Sequence, residues 1–76
     1  MAETETSRIE VGFDGGQIMS ALVTAASADQ LERALSARTE GTVSLDAEDG
    51  RYTVLLGSVV YVKRFAREAR VGFGIT

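Results

Sequence analysis

The stretch Tyr61-Val62-Lys63-Arg64-Phe65-Ala66-Arg67-Glu68-Ala69-Arg70 is where residue type and spacing come nearest to a binding chemistry. Aromatic rings interleaved with cations suit single-stranded nucleic acids and phosphates: the rings stack on bases and the cations hold the backbone. Tyr61 and Phe65 would supply the rings, and Lys63, Arg64, Arg67 and Arg70 the positive charge. On a strand, Lys63 and Arg64 point to opposite faces, so one anion site also needs help from the loop that follows. The alternative reading, taken first here, is an edge strand and loop whose charges keep it soluble and block unwanted pairing.

Bond-making chemistry has less to stand on. General acid–base and nucleophilic catalysis at neutral pH usually start from His, Cys or an activated Ser or Lys. The chain has no His and no Cys, and no Ser sits in a nucleophile-elbow pattern. The acidic cluster Asp46, Glu48 and Asp49 falls on an expected hairpin tip. It lacks the spacing and terminal Glu of a calcium loop. Phe13-Asp14-Gly15-Gly16-Gln17 and Gly72-Phe73-Gly74 lack the strand–loop–helix setting and the Gly-Lys-Ser/Thr ending of a phosphate cradle. Their glycines read as turn residues and bare spots for close packing. The expectation is a non-enzyme with no catalytic residue, no cofactor and no metal site.

The elements that would position these residues belong to one small domain. A chain of 76 residues buries only roughly 60–65% of its unfolded surface. Without Cys or His it has neither a disulfide nor a zinc staple, which leaves packing and oligomerisation to stabilise it. Charge is uneven. Residues 1–57 carry four cations against ten anions, a net −6, and residues 58–76 carry four cations against one anion, a net +3. The total of −3 disfavours non-specific nucleic-acid binding, and the basic C-terminal third leaves room for a local anion site. The acidic start is unlike a signal peptide, and no apolar run approaches the ~20 residues that span a bilayer. A soluble cytoplasmic protein is expected.

Along the chain, residues 1–7 read as a disordered tail and 8–76 as the domain. Ile9, Val11 and Phe13 alternate with Arg8, Glu10 and Gly12 in a first strand. Asp14-Gly15-Gly16 supplies a tight turn, and Ile18–Thr24 returns with ambiguous facing. Ser27-Ala28-Asp29-Gln30 matches a capping box, with Ser27 as N-cap. It predicts a helix from about Ala28 to Ala37 or Arg38, with Leu31, Ala34 and Leu35 as its apolar stripe and Gly41 near its end. Val43 and Leu45 mark a third strand, Asp49-Gly50 a turn, and Arg51–Leu56 a fourth strand. Gly57-Ser58 reads as a bulge or bend before Val59–Arg64, and Arg70–Thr76 as a last strand. Tyr52–Leu56 and Val59–Val62 are apolar on both faces, as in strands covered on both sides. One thin helix covers one face. Either the sheet curls on itself or a second subunit covers the other face, and the second is preferred.

The ordered set Leu45-Asp46-Ala47-Glu48-Asp49-Gly50-Arg51, Val54-Leu55, Val60-Tyr61-Val62 and Arg70-Val71-Gly72-Phe73-Gly74 resembles a short actinobacterial family of unknown function. The resemblance covers about Arg8 to Thr76 and implies a small cytosolic protein without an assigned activity. Some members are labelled ATP-binding, and no residue of this chain carries that label over. Where the family usually has an acidic residue after Tyr-Val, this chain has Lys63.

Taken together, the sequence points to an α+β fold. A small twisted antiparallel sheet in the order β-β-α-β-β-β has one helix packed on one face. The functional expectation is a non-enzymatic interaction module, a homodimer that uses the uncovered sheet face or an edge strand. The second reading is an anion, nucleotide or single-stranded nucleic-acid binder acting through Tyr61, Lys63, Arg64, Phe65, Arg67 and Arg70.

Overall fold

The computed structural model describes residues 5–66. The expected strand at 70–76, with Arg67 and Arg70, lies outside them. Strands β1 (Thr6–Phe13) and β2 (Ile18–Thr24) lead into helix α1 (Ala25–Ser36). The chain then forms β3 (Thr42–Ala47) and β4 (Gly50–Leu55), a single 3₁₀ turn (Leu56–Ser58), and β5 (Val59–Arg64). The five strands make one antiparallel sheet in the order β4-β3-β2-β1-β5. Strand β1 begins at Thr6, inside the stretch expected to be a tail.

The alternation of β1 puts Ile9 and Val11 on the helix side, where both are buried. The facing of β2 is settled in favour of Ala21 and Val23, both buried, with Met19 packed against the same cluster. Val43, Leu45, Val54 and Leu56 complete that face, and Ala28 and Leu31 of α1 close over it. Side chains two apart on a strand share a face, so Leu55 falls on the other side and is 56% exposed. Within one chain, the apolar runs at 52–56 and 59–62 are therefore covered on one face only.

The helix starts three residues earlier than the capping-box pattern predicts. Thr24 is the N-cap, its Oγ1 accepting from the Ser27 N–H at 3.0 Å. Ser27 moves into the first turn and is buried, and its Oγ accepts from the Asp46 N–H of β3 at 2.9 Å. The capping box lost because Ser27 serves a backbone donor 19 residues away, a need that local pattern cannot show. At the other end the helix stops at Ser36, and Arg38 rather than a glycine adopts the left-handed conformation (φ 57°).

Strands β4 and β5 sit at opposite edges of the sheet yet follow one another through three residues. Four inter-strand spacings amount to roughly 19 Å, whereas four residues of extended chain span at most about 14 Å. The sheet must curl to bring its edges together here. The Asp14 N–H, at the β1–β2 turn, donates to the Ser58 carbonyl at 2.9 Å and ties the connecting turn to the end of β1.

The other seam is loose. β2 meets β3 only at Val23↔Ala47, beside a bond from the Glu48 N–H to the Leu22 carbonyl at 3.0 Å. That register sets the body of β3 opposite the start of α1 and carries the body of β2 past the β3–β4 turn. The two hairpins are offset and overlap at their ends alone.

Candidate interaction site: the open face and the edge of β2

The face away from α1 carries Arg8, Glu10 and Gly12 from β1, Ile18, Ser20 and Leu22 from β2, and Tyr61 and Lys63 from β5, with Phe65 just beyond. Gly12 explains why Tyr61 lies as it does. A Cβ built on Gly12 would come within 2.1 Å of the Tyr61 ring, so the ring occupies the space that any other residue would fill. The bare spot left by a glycine between two large apolar residues is thus roofed by an aromatic side chain from the neighbouring strand. The Tyr61 hydroxyl donates to Glu10 Oε2 at 2.6 Å, and holding this proton for the carboxylate raises the Tyr61 pKa above its usual value. Beside the row sits Ile18, paired across from Gly12 and 61% exposed. The ladder slips by one residue between Gly12 and Phe13, which makes Val60, 64% exposed, the extra residue of a β-bulge.

The structure divides the basic–aromatic segment between the two faces. Tyr61, Lys63 and Phe65 share the open face, and Lys63 Nζ stands 4.5 Å from the Phe65 ring centroid, in cation–π range. Arg64 points to the helix side. Its Nη1 lies 2.8 Å from Asp29 Oδ1 and 3.1 Å from Glu32 Oε1 of α1, while its Nε and Nη2 donate to Ser7 Oγ at 3.3 Å. The bond to Asp29 leads the effects that raise the Arg64 pKa, against a partial desolvation. Arg64 therefore clasps the end of β5 to the helix. Glu32 is half-buried as its partner.

The acidic cluster behaves as turn chemistry. Asp46 pairs with Arg51 directly across the β3–β4 ladder at 3.3 Å, with both side chains mostly in solvent. Asp49 accepts from the Tyr52 hydroxyl at 3.0 Å, which raises the Tyr52 pKa. Among the described residues, no three His, Cys, Asp or Glu side chains are grouped so as to hold a metal ion. No helix among them is long and apolar enough to cross a membrane.

Sequence reasoning missed that the outer edge of β2 is unpaired along Ile18–Ala21 among the described residues. Leu22 directs its carbonyl toward β3, where it meets the Glu48 N–H. Backbone groups of alternate strand residues point the same way, so Ile18 and Ser20 also direct their N–H and C=O groups away from β1. Gln17 and Ala25, of the opposite parity, bond back to β1 through Phe13 and to Glu5. Among the described residues no strand pairs with Ile18–Ala21 on its outer side. The one signal in the sequence was the absence of any charge from Ile18 to Thr24.

Fold and site thus define a mixed α+β protein with a half-covered, curled antiparallel sheet and an exposed polar–apolar strip along β5, β1 and β2. Compared with known proteins, the chain matches no family model, no curated protein and no solved structure.

Proposed function

We propose that the protein is a cytoplasmic, non-enzymatic interaction module that self-associates through the sheet face left open by α1 or through an edge strand beside it. One observation carries this reading: Ile18, Tyr61 and Phe65, three of the large apolar residues most exposed to solvent, lie together on the sheet face that α1 does not cover. Apolar surface gathered on one side of a small protein marks an interaction site. The charge pattern favours a second copy over a polyanion. Arg8 and Lys63 stand beside Glu10 on the same strip, and a two-fold contact needs a patch complementary to itself, with both signs present. The reading includes kinship with the short actinobacterial family that the Arg70–Gly74 ending resembles.

Sedimentation velocity from low micromolar to high micromolar concentration tests this. A concentration-dependent shift from monomer to dimer is expected, and it should weaken when Ile18 is replaced by Asp. A monomer throughout the range overturns the reading.

The second reading, a single-stranded nucleic-acid or nucleotide site, draws support from Lys63 over Phe65 and from Tyr61 on the same face. Arg64 would contribute little, because Asp29 and Glu32 hold it on the opposite side. Titration with labelled oligonucleotides and with ATP at two salt concentrations tests it. Binding that weakens with salt, and that is lost on charge reversal at Lys63, Arg67 and Arg70, is what this reading requires. Absence of such binding removes it.

A further inference from the structure

We infer that the self-association proposed above, on which this step rests, runs through the edge of β2 that no described strand pairs with: two copies add Ile18–Ala21 strands antiparallel across a two-fold axis at Met19. The pairing of Glu48 with Leu22 fixes which backbone groups face outward, and they are those of Ile18 and Ser20. In a two-fold centred on Met19, Ile18 of each copy stands opposite Ser20 of the other. Each such pair exchanges both an N–H···O=C and its reciprocal. The next register, centred on Ser20, would require Leu22, whose carbonyl is already taken and whose outer side meets the β3–β4 turn. The central register uses the available groups and avoids the obstruction.

The occupant is a second copy because this edge lacks what keeps strands apart. Natural edges are guarded by charge, proline or a covering element. β5 carries Lys63 and Arg64, and β4 carries Arg51. From Ile18 to Thr24 there is no charged residue and no proline. A neutral strand meets its own copy without like-charge repulsion. Pairing also extends the strip of Ile18 and Tyr61 into a continuous surface across two subunits, turning two small patches into one. The helix-side neighbour at the axis is Met19, half-buried and adaptable enough to pack against itself.

Three measurements test this mode. Ser20→Pro removes an outward donor while leaving the bonds to β1 intact, because those belong to Met19 and Ala21. It should weaken dimerisation roughly tenfold or more and leave the circular-dichroism spectrum of the monomer unchanged. Should that variant fold poorly, a charge-swap pair replaces it. Ile18→Asp with Ser20→Asp in one chain, and Ile18→Lys with Ser20→Lys in another, should each be monomeric alone and form a heterodimer when mixed. Hydrogen exchange on the unaltered protein gives the third readout. The Ile18 and Ser20 amides should gain protection as concentration rises, while Met19 and Ala21 stay protected throughout. A dimer in which the Ile18 and Ser20 amides gain no protection, or whose charge-swapped chains do not recombine, overturns the edge mode and leaves self-association standing. A monomer at every concentration overturns both.

Discussion

Strands β2 and β5 flank the same central strand, β1, and are held there by different physics. β2 is held from inside: Ala21 and Val23 are buried, its end supplies the helix cap, and the first turn of that helix is tied to β3 through Ser27. β5 is held from outside. Val59 and Val62 are only half-buried, and the strand end is fixed by the Arg64 clasp and by Tyr61 lying over Gly12. The difference explains where charge is placed. The strand anchored at its surface carries cations that engage partners and guard its edge. The strand anchored by burial carries none, and among the described residues no strand pairs with the outer edge of Ile18–Ala21.

The contrast is sharpest in the core. Val23→Ala should lower the unfolding free energy by about 2–3 kcal/mol through lost transfer energy and a cavity, and Val62→Ala by about half as much. Chemical denaturation compares the two, and equal losses would abolish the distinction between inner and outer anchoring. Next comes Ser27→Ala, which leaves the Asp46 N–H without its acceptor and should cost about 1–2 kcal/mol. Hydrogen exchange at the Asp46 amide should quicken in this variant before the rest of β3 loosens.

Arg64→Ala should cost at most ~1 kcal/mol, because its partners Asp29 and Glu32 are about half exposed. Most of that loss should already be present in the parent protein at high salt, and a loss insensitive to salt would mean that Arg64 acts by packing instead. The smallest effect is spectroscopic. Because the folded state raises the Tyr61 pKa, the Glu10 bond stabilises the fold fully below the ordinary tyrosine value near 10. That contribution disappears as pH climbs through the raised folded value. Ultraviolet titration should show the Tyr61 ionisation moving down in Glu10→Gln, and also in Gly12→Ala, which displaces the ring. An unmoved titration would show that Gly12 does not position Tyr61.

Much of the fold was legible because it is written in local patterns. The alternation at Ile9, Val11 and Phe13, the Asp14-Gly15-Gly16 and Asp49-Gly50 turns and the Leu31 stripe each depend on residues a few positions apart. The break at Gly57-Ser58 was legible as a bend, and the 3₁₀ turn there is one. The candidate site was half legible. Alternation alone placed Lys63 and Arg64 on opposite faces, whereas the choice of Asp29 and Glu32 as partners of Arg64 depends on a helix some 30 residues earlier in the chain.

By itself, then, the sequence determined the fold class, the order of elements from β1 to β5, and the entry of Ile9, Val11 and Leu31 into the core, because side-chain periodicity and turn chemistry act at short range. Only the tertiary structure decided the rest. It chose Thr24 over Ser27 as the cap, because Asp46 needed an acceptor. It laid Tyr61 across Gly12, because two residues 49 positions apart came to share a register. It also kept β3 from pairing along β2, because two hairpins that could have paired along their length meet only at Val23 and Ala47. Each of these depends on where distant segments come to rest, and that position is fixed by the packing of the whole chain.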